Sequence, residues 1–270
     1  RRPPRSTLFP YTTLFRSKSS KNLPYNRVYF QKILLILQNE TDIMITKLYN
    51  KFDKKSIPDL PRVTFQGKIV VVLSEAEANK AVDYLLSADI LGIDSETRPV
   101  FKKGQHHKVA LLQVSTRDIC FLFRLNLIGM PPCIIRLLED TTVLKVGLSL
   151  HDDFMMLHQR ANFKKGRFID LQDIVSQFGI EDLSLQKLYA NLFHERITKR
   201  QQLSNWEAPV LTEQQKTYAA TDAWTCIQIY ERLQELHNTQ NYETVIVPEP
   251  QPKNAERIGE TVTNGTQKND

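Results

Sequence analysis

The stretch that decides the fold is ILGIDSE, residues 90–96, a short apolar run that ends in two carboxylates. A run of this length, rich in Ile and Leu, is typical of a buried β-strand. Side chains two positions apart in a strand point to the same side of the sheet, so we expect Asp94 and Glu96 to lie side by side. Two like charges in such a strand are costly unless a cation compensates them. The pair therefore indicates either a metal site or, if the carboxylates simply begin the next loop, two solvated side chains.

Elements of an α/β domain are predicted on both sides of this strand. Apolar, β-branched runs predict strands within residues 63–73, 108–116, 118–125 and 141–150. Periodicity predicts helices at residues 74–87, 131–140, 151–160, 170–178 and 183–195. Thr212, with Gln215 three residues later, predicts the cap of a long amphipathic helix of about six turns. Strands first and helices later, around a mixed sheet, favour an α/β fold.

Three further acidic residues lie in the predicted helices, two at the start of one helix and one within the long helix. Asp152 and Asp153 open the helix that follows the strand at residues 141–150. Tyr218 and Asp222 are four residues apart, and therefore on one face of the long helix. Each feature has an ordinary structural explanation, because Asp is favoured in the first turn of helices and Tyr218 could be a core-edge aromatic. Small residues surround Asp222, which would let another group approach it closely.

Taken in order, these motifs closely resemble the DEDDy 3′-to-5′ exonucleases of the ribonuclease D family. The first motif is Asp-x-Glu at residues 94–96, followed by KVALLQVS; the second is KVGLSLHDDFMML and the third lies in SNWEAPVLTEQQKTYAATDA. The resemblance extends from about residue 63 to residue 236 and is most like stand-alone Werner-like exonuclease domains. It implies a ribonuclease-H-like fold, a mixed β-sheet flanked by α-helices.

The second motif leaves a choice between two adjacent acids. Counted from Gly147, the Werner-like pattern places the acid six residues on, at Asp153, with a Leu four residues further at Leu157. Asp152 would place a Met at that later position. We therefore expect Asp153 to be the third acid, with Asp152 as the alternative.

The resemblance implies hydrolysis of nucleotides from 3′ ends by a two-metal mechanism. Asp94, Glu96, Asp153 and Asp222 would hold two Mg²⁺ or Mn²⁺ ions, hard cations that prefer oxygen ligands. Asp94 would contact both ions. Tyr218, one helical turn before Asp222, would orient and help deprotonate the attacking water, with positioning as the main role because an unperturbed phenol has a pKa of about 10.

Substrate contacts are predicted next to the motifs. Thr97 and Lys108 flank the first motif, and Lys199 lies in a basic pair before Trp206, where solvated surface is the alternative interpretation. The expected partner is single-stranded or 3′-ended nucleic acid, with no membrane and no protein partner indicated. A catalytically inactive nucleic-acid-binding protein and a small-nucleotide phosphohydrolase are the rival functions. The complete set of four acids and a tyrosine favours the exonuclease.

The charge and composition of the chain also indicate its domain boundaries and its location. The net charge of +6 belongs to residues 1–43, which hold eight basic and two acidic side chains, whereas the other residues are balanced. We expect residues 1–43 to be a translation or assembly artefact or a disordered arm, residues 44–247 to be the exonuclease domain and residues 248–270 to be a disordered tail. Three scattered cysteines without a CxxC pair favour a reducing, cytoplasmic location. No apolar run is long enough to span a membrane.

Overall fold

Eight strands and seven α-helices are defined in residues 45–102 and 104–248, the residues that this computed structural model describes. The strands, in chain order, are β1 (Thr46–Tyr49), β2 (Lys68–Val72), β3 (Ile90–Glu96), β4 (Leu111–Ser115), β5 (Ile119–Phe123), β6 (Leu144–Gly147), β7 (Phe168–Asp170) and β8 (Tyr242–Val245). The helices are α1 (Glu75–Leu85), α2 (Leu125–Ile128), α3 (Pro132–Glu139), α4 (Leu150–His158), α5 (Leu171–Val175), α6 (Leu185–Phe193) and α7 (Glu213–Thr239).

Six of the strands form one mixed sheet in the order β2-β5-β4-β3-β6-β7. The pairs β3–β4 and β4–β5 are antiparallel, and β2–β5, β3–β6 and β6–β7 are parallel. Strands β1 and β8 make a separate parallel pair. The strand that carries Asp94 and Glu96 therefore lies inside the sheet, with a neighbour on each side.

Helices cover both faces of the six-stranded sheet. Leu91 and Ile93 of β3 pack with α1, α3 and α4 in one apolar cluster. Ile90, on the other face, packs with α5, α6 and α7 in a second cluster. Alternate residues of β3 thus face opposite layers, as the period of two in a strand requires. The expected α/β fold, a mixed sheet flanked by helices, is confirmed.

Local sequence signals explain where the two best-defined helices begin. Ser74 accepts a hydrogen bond from the Glu77 backbone N–H, and the Glu77 side chain accepts one from the Ser74 backbone N–H. The same reciprocal pair joins Thr212 and Gln215 at the start of α7. The box at Thr212 was predicted from the sequence, and each box satisfies backbone donors that the first helical turn leaves unpaired.

Several predicted elements differ from those observed. Helix α7 has 27 residues, about seven and a half turns rather than six. Only residues 68–72 of the run 63–73 form a strand. The strands β1, β7 and β8 were not predicted. Each has only three or four residues, and β1 pairs with β8 almost two hundred residues along the chain, so no local pattern marks them.

Two predictions fall on parts of the chain that the structure does not describe. These are the expectations for residues 1–43 and for nearly all of residues 248–270. Within residues 45–102 and 104–248, no helix combines the length and the apolar character needed to cross a lipid bilayer. All three cysteines are buried and free of disulfides.

Candidate active site

Asp94 and Glu96 lie at the end of β3, on the side of the sheet that α7 covers. Glu96 is 9% exposed and Asp94 is partly buried. The backbone of the strand continues into an antiparallel pairing, in which the Ala110 N–H donates to the Glu96 carbonyl oxygen over 2.8 Å. The two carboxyl groups are thus held side by side at the point where the loop of residues 97–109 leaves the sheet, as the sequence predicted.

Asp222 reaches the same place from α7. Its side chain is 7% exposed, and α7 approaches the sheet closely at Gly92, where a Cβ atom would collide with the Ala223 carbonyl oxygen. Asp94, Glu96 and Asp222 each offer a carboxylate oxygen to a group of atoms that all lie within 4.8 Å of one another. Two acids of β3 and a third acid, more than a hundred residues later in the sequence, therefore form one cluster.

The surroundings of the three acids disfavour their ionised forms. Burial and the neighbouring carboxylates raise the pKa of Glu96 to about 10 and hold the pKa of Asp94 well above its usual range. Burial raises the pKa of Asp222 to about 7, against the opposing effects of a Tyr218 hydrogen bond and the Lys199 charge. Without a cation, Asp94 and Glu96 keep their protons at neutral pH, and Asp222 is about half protonated.

The donor set of the cluster fits a hard divalent cation. The three carboxyl groups form no salt bridge with Lys or Arg among the described residues. The Oδ1 atom of Asp222 is buried and has no hydrogen-bond partner in the part of the chain that the structure describes. A buried carboxylate oxygen without a partner is rare in proteins, and a bound metal ion would satisfy it.

Asp153 and Asp152 point to different surroundings although they are adjacent in α4. Asp153 accepts a hydrogen bond from the Ser95 hydroxyl and lies close enough to Asp94 to raise its pKa. Burial raises the pKa of Asp153 to about 6. Asp152 is exposed, and its carboxylate accepts a 3.4 Å hydrogen bond from Ser149. The structure thus brings Asp153 toward the cluster, although outside the group of three, and leaves Asp152 in solvent.

Tyr218 lies one turn before Asp222 on the same face of α7. Its ring packs against the fully buried Trp206, with 6.0 Å between the ring centroids. Burial raises the pKa of the phenol far above its ordinary value, and the charges of Asp222 and Glu96 add to the effect. The hydroxyl group therefore stays protonated across the whole working pH range.

The cluster opens into a cavity of about 280 Å³. Asp94, Glu96, Tyr218 and Asp222 line it together with parts of α6 and of the segment 197–202, and Lys199 is among these lining residues. Thr97 is partly buried and Lys108 is exposed, and neither lines the cavity. Of the three predicted substrate contacts, the structure places only Lys199 at the cavity.

The loop that follows β3 is tied to the segment that precedes α7. The Glu207 carboxylate lies 3.3 Å from Arg98 Nη1 and 3.0 Å from His107 Nδ1, so it joins both ends of the loop. Glu207 follows Trp206, which packs on Tyr218. The loop and α7 are therefore connected through two consecutive residues.

Three residues near the acids were not predicted. Ser95 donates to Asp153, Gln113 Nε2 donates to Asp94 Oδ2 over 3.3 Å, and Asp170 accepts from the Leu150 backbone N–H over 2.6 Å at the start of α4. Ser95 and Gln113 lie inside quoted motifs, so attention to the non-acidic motif positions could have found them. Asp170 has a local role as the N-cap of α5, where it accepts from the Gln172 backbone N–H, but its bonds to Ser149 and Leu150, about twenty residues away, have no local signal.

Comparison with known proteins gives consistent matches over this region. The sequence profile described as 3′-5′ exonuclease matches residues 69–238, which include every residue of the cluster. The chain is 30% identical over 191 residues to the mouse bifunctional 3′-5′ exonuclease/ATP-dependent helicase WRN, covering 67% of this chain and 14% of that protein. It is 29% identical over 194 residues to a 3′-5′ exonuclease of Arabidopsis thaliana, covering 66% of this chain and 67% of that protein.

A solved structure supports the same fold. The Nibbler EXO domain of Aedes aegypti superposes with a TM-score of 0.61 at 20% identity, covering 67% of this chain and 95% of that domain. Identity at this level reports on the fold alone. The strand that carries two acids and the long helix that carries the third thus belong to a known ribonuclease-H-like architecture.

Proposed function

We propose, because this chain belongs to the 3′-5′ exonuclease family, that it removes nucleotides from the 3′ end of nucleic acid by metal-dependent hydrolysis of phosphodiester bonds. The observation that carries the proposal is the convergence of Asp94, Glu96 and Asp222 within 4.8 Å, inside the region that matches the family. Acids packed this closely at the floor of a cavity need cations to stay ionised, and phosphoryl-transfer sites use such cations.

The proposed metal ligands are the four acids of the three motifs. Glu96 and Asp222 would hold one Mg²⁺ or Mn²⁺ ion with Asp94, and Asp153 would hold a second ion with Asp94. When bound, two such ions activate the nucleophile and stabilise charge on the attacking and leaving oxygens. The partnerless Asp222 Oδ1 atom and the absence of a neighbouring salt bridge among the described residues support these roles.

Tyr218 is proposed to position the attacking water. Its phenol stays protonated because burial and nearby carboxylates raise its pKa, so it acts as a hydrogen-bonding group and not as a base. The packing on Trp206 holds the ring in place. The hydroxyl would therefore fix the direction of attack without taking a proton from the water.

The proposed substrate is single-stranded or 3′-ended nucleic acid. Lys199 lines the cavity, which supports a contact between its ammonium group and a phosphate near the cleaved bond. Thr97 and Lys108 stay proposals for contacts further along the strand, because they lie on the loop beside the cavity. The same loop carries Phe101, which is 80% exposed. Exposed aromatic and basic side chains together are the groups that bind bases and phosphates of single strands.

A cytoplasmic location remains part of the proposal. All three cysteines are buried thiols without a disulfide, as is usual in a reducing compartment.

The experiment that tests the function uses the full chain and an oligonucleotide labelled at its 5′ end. Reactions with Mg²⁺, with Mn²⁺ and with EDTA are compared with the Asp94→Asn variant. We expect a ladder of products shortened from the 3′ end, which requires metal and disappears in the variant. DNA and RNA oligonucleotides of the same sequence are used in parallel. Metal binding without any ladder would contradict the proposal, and release of phosphate from mononucleotides alone would favour a small-nucleotide phosphohydrolase.

A further inference from the structure

Gln113 is a buried amide directly opposite Asp94 in the sheet. In the antiparallel register of β3 and β4, Asp94 pairs with Gln113. The Gln113 side chain is fully buried, and its Nε2 group donates to Asp94 Oδ2 over 3.3 Å. A directly opposed pair in a sheet brings the two side chains together without help from any other element.

The other end of this amide has no partner among the residues that the structure describes. Gln113 Oε1 is buried and accepts no hydrogen bond from the described residues. Two of its neighbours on the same face are apolar, since Leu111 precedes it by two positions and Leu122 pairs with it on β5. The third, Ser115, donates its hydroxyl to the Thr116 carbonyl oxygen. An apolar side chain of similar length would avoid the cost of burying an unpaired oxygen. Stability of the fold therefore does not explain a glutamine at this position.

We propose that Gln113 is a positioning residue that sets the orientation of the Asp94 carboxylate for metal binding. By holding Oδ2, the amide stops rotation of the carboxyl group and leaves Oδ1 free of that bond. The inference rests on the proposed function, because it takes Asp94 to be a metal ligand. Groups that orient a ligand in this way typically contribute roughly 10- to 100-fold to metal affinity or activity.

The test compares two volume-conserving substitutions in the same layer of the sheet. Gln113→Met keeps the length of the side chain and removes both polar ends. Leu122→Met, the control, alters the paired and equally buried position on β5 and keeps the bond from Gln113 to Asp94. Such swaps in a core are usually tolerated. Each full-length protein is measured for its melting temperature in EDTA, its affinity for Mn²⁺ by calorimetric titration, and its rate on the labelled oligonucleotide.

We expect opposite effects on stability and on metal binding. Gln113→Met should melt in EDTA no lower than the wild type, because an unpaired buried oxygen is removed, while its Mn²⁺ affinity and its rate fall roughly 10- to 100-fold. Leu122→Met should keep the wild-type Mn²⁺ affinity. Two results would overturn the inference. The first is a wild-type Mn²⁺ affinity in Gln113→Met. The second is a loss of Mn²⁺ affinity together with a lower melting temperature in EDTA, which would indicate a structural role.

The metal titration separates this inference from the proposed function. If the wild type binds Mn²⁺ but degrades no oligonucleotide, the proposed function fails, and the Mn²⁺ affinity of Gln113→Met still decides the role of Gln113. If the wild type is active and Gln113→Met has the same Mn²⁺ affinity and the same rate, only the inference about Gln113 is contradicted.

Discussion

The main-chain carbonyl oxygen of Ala223 occupies the space that a Cβ atom on Gly92 would need. The separation is well below the 3.0 Å that real Cβ atoms keep from other atoms. Gly92 precedes Asp94 by two residues on the same side of β3, and Ala223 follows Asp222 on α7. The absence of one side chain therefore allows the helix to approach the strand at the point where their acidic residues must meet.

Replacing Gly92 by Ala should damage both the fold and the site. The added methyl group meets backbone atoms, which cannot move aside alone, so α7 must shift away from β3. Overpacking of this kind costs about 1–3 kcal/mol of the free energy of unfolding, and sometimes more. A displacement of about 1 Å between reacting groups lowers rates by up to roughly 100-fold. Chemical denaturation and exonuclease assays measure the two effects.

The control for this prediction is Gly129→Ala. Gly129 has a φ of 69° and open space around it, so Ala there strains the backbone without moving α7. We expect a stability loss with normal activity. Equal activity of Gly92→Ala and the wild type would show that the close approach is not needed for catalysis.

The metal-free protein should lose stability as the pH rises. The folded pKa values of Asp153, Asp222 and Glu96 are about 6, 7 and 10, against about 4 in an unfolded chain. The folded state thus holds more protons, and the stability due to these groups is fully present below about pH 4 and is lost as the pH rises through the folded pKa values. A divalent cation replaces the protons, so its stabilising effect should grow over the same pH range.

Melting temperatures measured in EDTA and in Mn²⁺, at about pH 5.5, 7 and 8.5, test this linkage. The gap between the EDTA and Mn²⁺ curves should widen toward high pH. In Asp222→Asn one titrating ligand is missing, so the gap should be smaller and depend less on pH. A gap that is constant from acid to alkaline pH would argue against a metal site made of these carboxyl groups.

The sequence predicted the strand and the long helix of the site because both have a strong local pattern. β3 shows a continuous apolar run, and α7 begins with a capping box. Such local patterns could not predict contacts between residues that are far apart in the sequence. That Asp153 turns toward Asp94 while Asp152 turns to solvent depends on the rotation of α4 and on the Ser95 hydroxyl, and register counting only ranked the two. The pairing of Gln113 with Asp94 depends on a sheet register that no motif states.

The two adjacent acids of α4 should differ sharply in function. Asp153→Asn removes a carboxylate that Ser95 holds next to the cluster, so we expect the rate to fall by roughly 100-fold or more. Asp152→Asn alters an exposed side chain and should stay within about twofold of the wild type. Both are measured as initial rates at saturating Mn²⁺. The reverse ranking would make Asp152 the third acid.

Removing the Tyr218 hydroxyl should lower the rate without changing its pH dependence. In Tyr218→Phe the ring keeps its packing on Trp206, and the loss of a positioning hydrogen bond should reduce kcat by up to roughly 100-fold. Because the phenol of the wild type stays protonated, its ionisation does not shape the pH profile. Parallel curves of log kcat against pH are expected. A pH dependence present in the wild type and lost in Tyr218→Phe would instead identify the phenol as the base.

Lys199 should contribute to binding of the strand through charge. It lines the cavity, and its charge lowers the pKa of Asp222, so it lies within electrostatic range of the acidic cluster. Each phosphate neutralised on a single strand contributes about 0.7 to the slope of log affinity against log salt. Lys199→Ala should therefore weaken binding of an oligonucleotide and flatten that slope by about 0.7. Lys108→Ala tests the loop in the same way.

Fluorescence anisotropy in EDTA measures these affinities, because no cleavage occurs without metal. The control is Lys80→Ala, which removes an exposed charge on α1, the helix that packs with the opposite face of β3. Its affinity and slope should match those of the wild type. If Lys199→Ala lowers affinity by the same factor at every salt concentration, the lysine acts through packing of the segment 197–202 and not through a phosphate. If all three variants lose affinity equally, binding reflects total charge, and no particular lysine meets the strand.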